Sequence, residues 1–332
     1  MKRCAVFIRT EGDLLRHLEK EFETIYDDGD SVLIKLHMGE PGNRTRLRAE
    51  FVAKIVDALR ERGCRPFLFD SPVVYKSPRN NEKEYLEVAA RHGFSEDSLG
   101  VPVRISDRFE KVRGETMDFE ILADPLEADG VLLLTHFKGH MCSGTGGSIK
   151  NVGMGCMSKR TKGAIHDGGK PVYGEGCSEC GACAENCPTG NIRIADGGPE
   201  FDVTWCCGCS ICAVSCPVEC ITPDVALFDR LLAEGAALAF GRYGKPYAVN
   251  VLRNMTKLCD CVSDAGPVIT DDLGFVCGSN MVDVDIASLD VIRRETGRDD
   301  PIGKANGKDS RIHMEEAAEV LGLTGDVVVE EI

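Results

Sequence analysis

The chain has 332 residues, with 39 Lys and Arg against 54 Asp and Glu and a formal charge of −15 at pH 7. That balance argues against general nucleic-acid binding, which needs a basic face to neutralise phosphates, and no apolar run approaches the roughly 18 residues of a membrane span. The first nine residues show no apolar segment followed by a small-residue cleavage site. Seventeen cysteines are therefore expected in a reducing, cytoplasmic setting, where clustered thiols bind metal or do redox chemistry.

Taken in chain order, residues 3–8 predict a strand and 13–22 a helix. Residues 31–37 predict a second strand. Residues 46–62 predict an amphipathic helix with Phe51, Ile55, Val56 and Leu59 on one face, ended by Gly63 in the C′ position. A third strand over 65–69 ends at Asp70, and a helix over 82–92 is closed by Gly93. The run 130–135 contains Val-Leu-Leu-Leu without polar alternation, the signature of a strand buried on both faces. After residue 224 the texture resumes, with helices over 225–239, 284–296 and 314–321 and strands over 247–252, 274–277 and 327–329. Strands alternating with helices imply an α/β fold with a mostly parallel sheet. The expected architecture is one discontinuous α/β domain, its halves 1–168 and 223–332, interrupted by a cysteine-rich module over 170–222. Two α/β domains flanking the module are the competing arrangement.

The module carries Cys177, Cys180, Cys183 and Cys187-Pro188, then Cys206, Cys209, Cys212 and Cys216-Pro217. Both runs read C-x2-C-x2-C-x3-C-P, 29 residues apart. This is the bacterial two-cluster ferredoxin pattern, in which the fourth cysteine of each run ligates the other cluster. One 4Fe-4S cluster is thus assigned to Cys177, Cys180, Cys183 and Cys216, and the second to Cys206, Cys209, Cys212 and Cys187. Structural zinc prefers paired C-x2-C hooks to triplets with a lagging Cys-Pro. Cys207 and Cys220 fit neither run and read as packed thiols. A hairpin pairing 192–194 with 201–203 around Asp196-Gly197-Gly198 is expected to join the halves. Two basic and seven acidic side chains give the module a charge of −5, which by itself disfavours adding an electron and lowers the cluster potentials.

The stretch 135–151 is unusually polar for the end of a buried strand. Ligand sites in open α/β sheets lie beyond the carboxyl ends of strands, and a glycine-rich turn before a helix can offer N–H groups to an anion. The Walker spacing is absent. His136, His140, Lys150 and His166 are the candidate catalytic groups. The Cys259-Asp260-Cys261 turn, with His136 and His140, has the thiolate and imidazole ligands of an additional metal ion. Met154-Gly155-Cys156 and Lys162 lie close in sequence. Lys35, His37, Glu40, Asp70, Tyr75 and Arg79 cluster after the second and third strands.

The stretches 35–48, 66–71, 135–156, 258–261 and 283–292 resemble the family called domain of unknown function 362, whose members often carry a ferredoxin module in this place. The resemblance implies an iron–sulfur centre protein of anaerobic metabolism and supplies no substrate. The segment 71–75 departs from it, since a more polar turn is expected after Asp70. The functional expectation is electron transfer through two 4Fe-4S clusters, to or from a polar or metal site in the α/β domain, with a redox partner protein and a small-molecule substrate. Competing readings are a non-catalytic electron carrier or docking module, and a purely structural use of the clusters.

Overall fold

The computed structural model describes residues 3–332. Its centre is an eight-stranded sheet of β1 (Cys4–Ile8), β2 (Ser31–Lys35), β3 (Arg65–Asp70), β4 (Val103–Ile105), β5 (Gly130–His136), β6 (Pro246–Leu252), β7 (Gly274–Gly278) and β8 (Val328–Glu331). Their order is β8-β1-β7-β6-β5-β2-β3-β4. All pairings are parallel except those of β7 with β1 and β6. The strands thus come from both sides of the cysteine-rich segment, and β5 pairs with β6 across it in sequence.

The apolar run of β5 is buried on both faces because the sheet is covered on both. Val131 and Leu133 join one core, with Phe228, Leu232 and Val284 of the helices Phe228–Phe240 and Met281–Thr296. Leu132 and Leu134 join the other, with Leu14, Leu18 and Phe22 of Glu11–Ile25 and Ile55, Val56 and Leu59 of Ala49–Glu61. Alternate side chains of a strand point to opposite faces, so a strand between two helix layers must be apolar throughout. No helix among the described residues is long and apolar enough to cross a membrane.

Residues 170–222 hold little regular structure. Pro171–Tyr173 pairs antiparallel with Ile221–Pro223, so the two ends of the segment close on each other. The internal hairpin pairs Ile192–Ala195 with Gly198–Phe201; its second strand starts earlier than the expected 201–203, because Asp196 and Gly197 (φ +93°) alone make the turn. Each cysteine run ends in a four-residue helical turn, Ala182–Glu185 and Ile211–Val214. The two runs repeat one backbone path. Glu179 and Gly208, equivalent by position, have φ of +54° and +62°, and Gly181 and Ser210 have +76° and +59°. The N–H of Glu179 points at Cys177 Sγ (3.3 Å), and that of Gly208 at Cys206 Sγ (3.4 Å).

Candidate functional site

The carboxyl ends of β2, β3 and β5 open on one cavity of about 610 Å³. Lys35 ends β2, and Asp70 ends β3 with Ser71 after it. Lys138 follows β5, and Lys150 and Asn151 come from the short helix Ser148–Gly153. Lys162 and His166 come from the helix Lys159–Gly168. Cys206 and Cys207 of the cysteine-rich segment line the same space.

Two of the four amines are neutralised. Lys35 Nζ donates to Asp70 Oδ1 and Asn151 Oδ1, each at 2.9 Å, and Lys138 pairs with Asp260 at 3.4 Å. Burial pushes the Asp70 carboxyl up, but Lys35, His37 and the Tyr85 hydroxyl outweigh it and hold it well below the usual carboxylate range. Lys150 and Lys162 have no carboxylate partner among the described residues; Lys162 donates to Ser71 Oγ (2.6 Å) and Pro72 O (2.7 Å). Burial, with the neighbouring lysines, lowers Lys150 to about 7. Burial lowers Lys162 to about 8, against the pull of Asp70. The unusual 71–75 segment acquires a place here: it walls the cavity and anchors Lys162. Arg79, fully buried, fixes this wall by donating to Glu40 Oε2 (2.8 Å), to His37 and to the Tyr75 hydroxyl.

The second cysteine run is docked on the α/β body. His166 Nδ1 donates to Cys207 O (2.7 Å), buried Lys308 donates to Cys209 O (2.7 Å), and Ser210 Oγ donates to Gly169 O (2.9 Å). Cys187, Cys206, Cys209 and Cys212, the four cysteines assigned together from the crossover pattern, line one small cavity. Cys177, Cys183 and Cys216 gather in an apolar cluster with Cys220 and with Cys212 of the second run; the Cys220 sulfur lies 3.5 Å from that of Cys216, while Cys180 is exposed. Cys207 packs beside Met141, its Sγ 4.0 Å from Met141 Sδ.

His140, Lys150 and His166 line the large cavity, and burial keeps both imidazoles below their ordinary pKa. Cys259 and Cys261 are disulfide-bonded, and a ring nitrogen of His140 lies within 4.8 Å of both sulfurs. His136 departs from expectation. Its Nδ1 lies 2.8 Å from Asp260 Oδ2 and its Nε2 2.9 Å from Arg253 O. With an oxygen facing each ring nitrogen, neither is free to reach a metal, and His136 does not line the cavity. It holds the 259–261 turn instead. The glycine-rich turn is corrected too. The N–H groups of Ser148 and Ile149 do not await an external anion; they donate to Asp285 at 2.7 and 2.9 Å. Asp285, Lys308 and Gly208 escaped sequence reasoning. For Asp285 the signal was present, an acidic residue among the apolar positions of Val284, Ile286 and Leu289.

The comparison with curated proteins finds no match. Among solved structures, the chain resembles the crystal structure of a Thermotoga maritima protein, with 12% identity and a TM-score of 0.41 over 73% of this chain and 50% of that one. It also resembles the lactate racemase apoprotein from Thermoanaerobacterium thermosaccharolyticum, with 11% identity and a TM-score of 0.42 over 76% of this chain and 51% of that one. The chain thus covers about half the length of each. Residues 32–290 match the family described as Domain of unknown function (DUF362), and the chain belongs to that family.

Proposed function

We propose that the protein is an iron–sulfur redox protein, acting as an oxidoreductase or an oxidoreductase subunit, that exchanges electrons with a small anionic substrate held in the cationic cavity. The observation that carries this reading is the double role of the second cysteine run: Cys206 lines both the small cysteine-lined cavity and the lysine-lined cavity. The donor set fits a 4Fe-4S cluster: the four assigned cysteines, with Cys207 beside them, line one space, and a backbone N–H is aimed at a sulfur. The first run, with its exposed Cys180, faces outward, where a redox partner protein has access. Two clusters supply one-electron transfer; the protein's own residues bind and orient the substrate. A non-catalytic carrier has no need of a polar cavity beside its ligands, and this cavity favours the enzyme reading.

Lys150 and Lys162, without carboxylate partners among the described residues, are the substrate's counter-charges, and His166 ties their cavity to the Cys207 carbonyl. A bound anion favours the protonated amines. Binding of a small dicarboxylate probe is therefore expected to be full below about pH 7 and to weaken as pH rises through the values of Lys150 (about 7) and Lys162 (about 8). Lys150→Met or Lys162→Met should each weaken it roughly 10- to 100-fold, the worth of a charged hydrogen bond. Calorimetric titration across that pH range checks both; affinity that rises with pH would contradict the assignment. The cluster assignment has its own test. Cys187→Ser should remove the EPR signal of the cluster held by the second run and spare the other. Loss confined to the cluster of Cys177, Cys180 and Cys183 would refute the crossover.

A further inference from the structure

The Cys259-Asp260-Cys261 turn stands apart from the cluster cysteines and is held in place by bonds that do not involve its sulfurs. The Asp260 carboxylate is fixed by His136 (2.8 Å) and Lys138 (3.4 Å). The Asp260 carbonyl accepts from the Glu40 N–H (2.9 Å), and the Cys261 carbonyl from the Tyr75 hydroxyl (3.1 Å). Leu258 N–H donates to Ala265 O (2.9 Å). The turn thus has supports besides the disulfide, and the imidazole of His140 lies beside both sulfurs. Nδ1 of that ring is engaged by two neighbours. Ser143 Oγ, which donates to Thr145 O (2.7 Å), lies 3.0 Å from it, and the Cys142 N–H donates to it at 3.3 Å. Nε2 is the nitrogen left for a metal, with the ring held by hydrogen bonding at its other nitrogen, as metal-binding histidines are.

We propose that Cys259, Cys261 and His140 form a redox-gated site for a thiophilic divalent cation on the wall of the cavity. In the closed state the two sulfurs are joined and cannot bind. A dithiol reductant opens the site: the S–S bond breaks, two electrons and two protons convert it to two thiols, and the reductant becomes a disulfide. The cation then displaces the two thiol protons and binds two thiolates and one imidazole, the softer ligands that zinc-like ions select. Three protein ligands leave a fourth position open, the mark of a site that acts on a ligand rather than one that only braces the fold. Cys261 and His140 both line the cavity that holds Lys150 and Lys162, so that open position faces the place assigned to an anion.

The test uses the full-length protein, prepared anaerobically and divided in two. One part is oxidised with diamide, the other reduced with a dithiol and desalted. Each is exposed to zinc, passed through gel filtration and analysed for zinc, iron and sulfide, while alkylation and mass spectrometry follow Cys259 and Cys261. The reduced protein is expected to retain about one zinc more per chain than the oxidised protein, and zinc should protect both cysteines from alkylation. Cys259→Ser with Cys261→Ser should erase the difference, and Ser143→Ala should weaken zinc binding about 10- to 100-fold. Equal zinc in the oxidised and reduced wild type would overturn the proposal without recourse to any variant, as would a difference that survives the double substitution. The iron and sulfide values from the same samples report on the cluster reading separately, so either idea can fail while the other stands.

Discussion

Gly208→Ala is expected to detach the second cysteine run from the α/β body. A Cβ at Gly208 would lie 1.7 Å from the carbonyl oxygen of His166, a backbone atom that cannot swing aside. The positive φ of Gly208 is not the reason a glycine is needed, since its counterpart Glu179 adopts φ +54° with a full side chain. The requirement is the close approach of the loop to the end of the helix Lys159–Gly168. Overpacking of this kind costs about 1–3 kcal/mol, and here the strain falls on the loop that carries Cys206 and Cys209. Iron content should drop by roughly half, with the loss confined to one of the two clusters, and thermal stability should fall. Gly176→Ala is the control: Gly176 also has a positive φ (+87°), but nothing lies within 4 Å of its added Cβ. Equal behaviour of the two variants in iron analysis and thermal unfolding would show that the docking contact is unimportant.

Asp285→Ala should be the most damaging single change outside the cysteines. The buried Asp285 carboxylate accepts from Ser148 N–H, Ile149 N–H and Asn250 Nδ2 (2.7 Å). It therefore pins the start of the helix that carries Lys150 to β6 and to the helix Met281–Thr296. Removing it leaves three buried donors unsatisfied, at a cost on the order of 3–5 kcal/mol, and releases the glycine turn on which Lys150 depends. Gly147 is part of the same fit, since a Cβ there would lie 2.3 Å from the Asp285 carboxylate. The carboxyl also carries a pH signature. Burial raises it from 3.8 to about 6, partly offset by Asn250 and the two amides. A group raised on folding contributes stability that is present at low pH and lost as pH rises through the folded value. Wild-type stability relative to Asp285→Asn should thus decline between about pH 4 and pH 6 and stay level above. Chemical denaturation across that window measures it, and a flat difference would mean that Asp285 is not protonated on that schedule.

Much of the fold was legible because period and punctuation agreed. The β5 run had no polar alternation, the helix Ala49–Glu61 had a clean apolar face, and Gly63 ended it with φ +90° as a C′ glycine should. Elements built on local pairing were missed. The hairpin of Phe109–Arg113 with Asp118–Leu122 is exposed on its first strand and lacks a strong apolar pattern. The hairpin of Lys138–His140 with Gly144–Gly146 hides in a glycine-rich sequence that reads as loop. At the site, residue type and position pointed to His140, Lys150, His166 and the Cys259/Cys261 turn, all of which meet at or beside the cavity. His136 was misread because the sequence does not reveal that an oxygen faces each of its nitrogens. The free N–H groups inferred for the glycine turn vanished for a related reason: their acceptor, Asp285, lies more than 130 residues away in sequence. Long-range satisfaction of polar groups is invisible to local pattern, and it decides whether a polar residue is a ligand or a brace.

On the proposed function, electrons enter and leave this protein through iron–sulfur clusters held by eight of its cysteines. The direct measurement is elemental analysis of anaerobically purified full-length protein, with low-temperature EPR of the dithionite-reduced form. About eight iron and about eight sulfide per chain are expected, with a reduced spectrum of two neighbouring clusters. Stoichiometric zinc at these cysteines, with little iron and no sulfide, would contradict it.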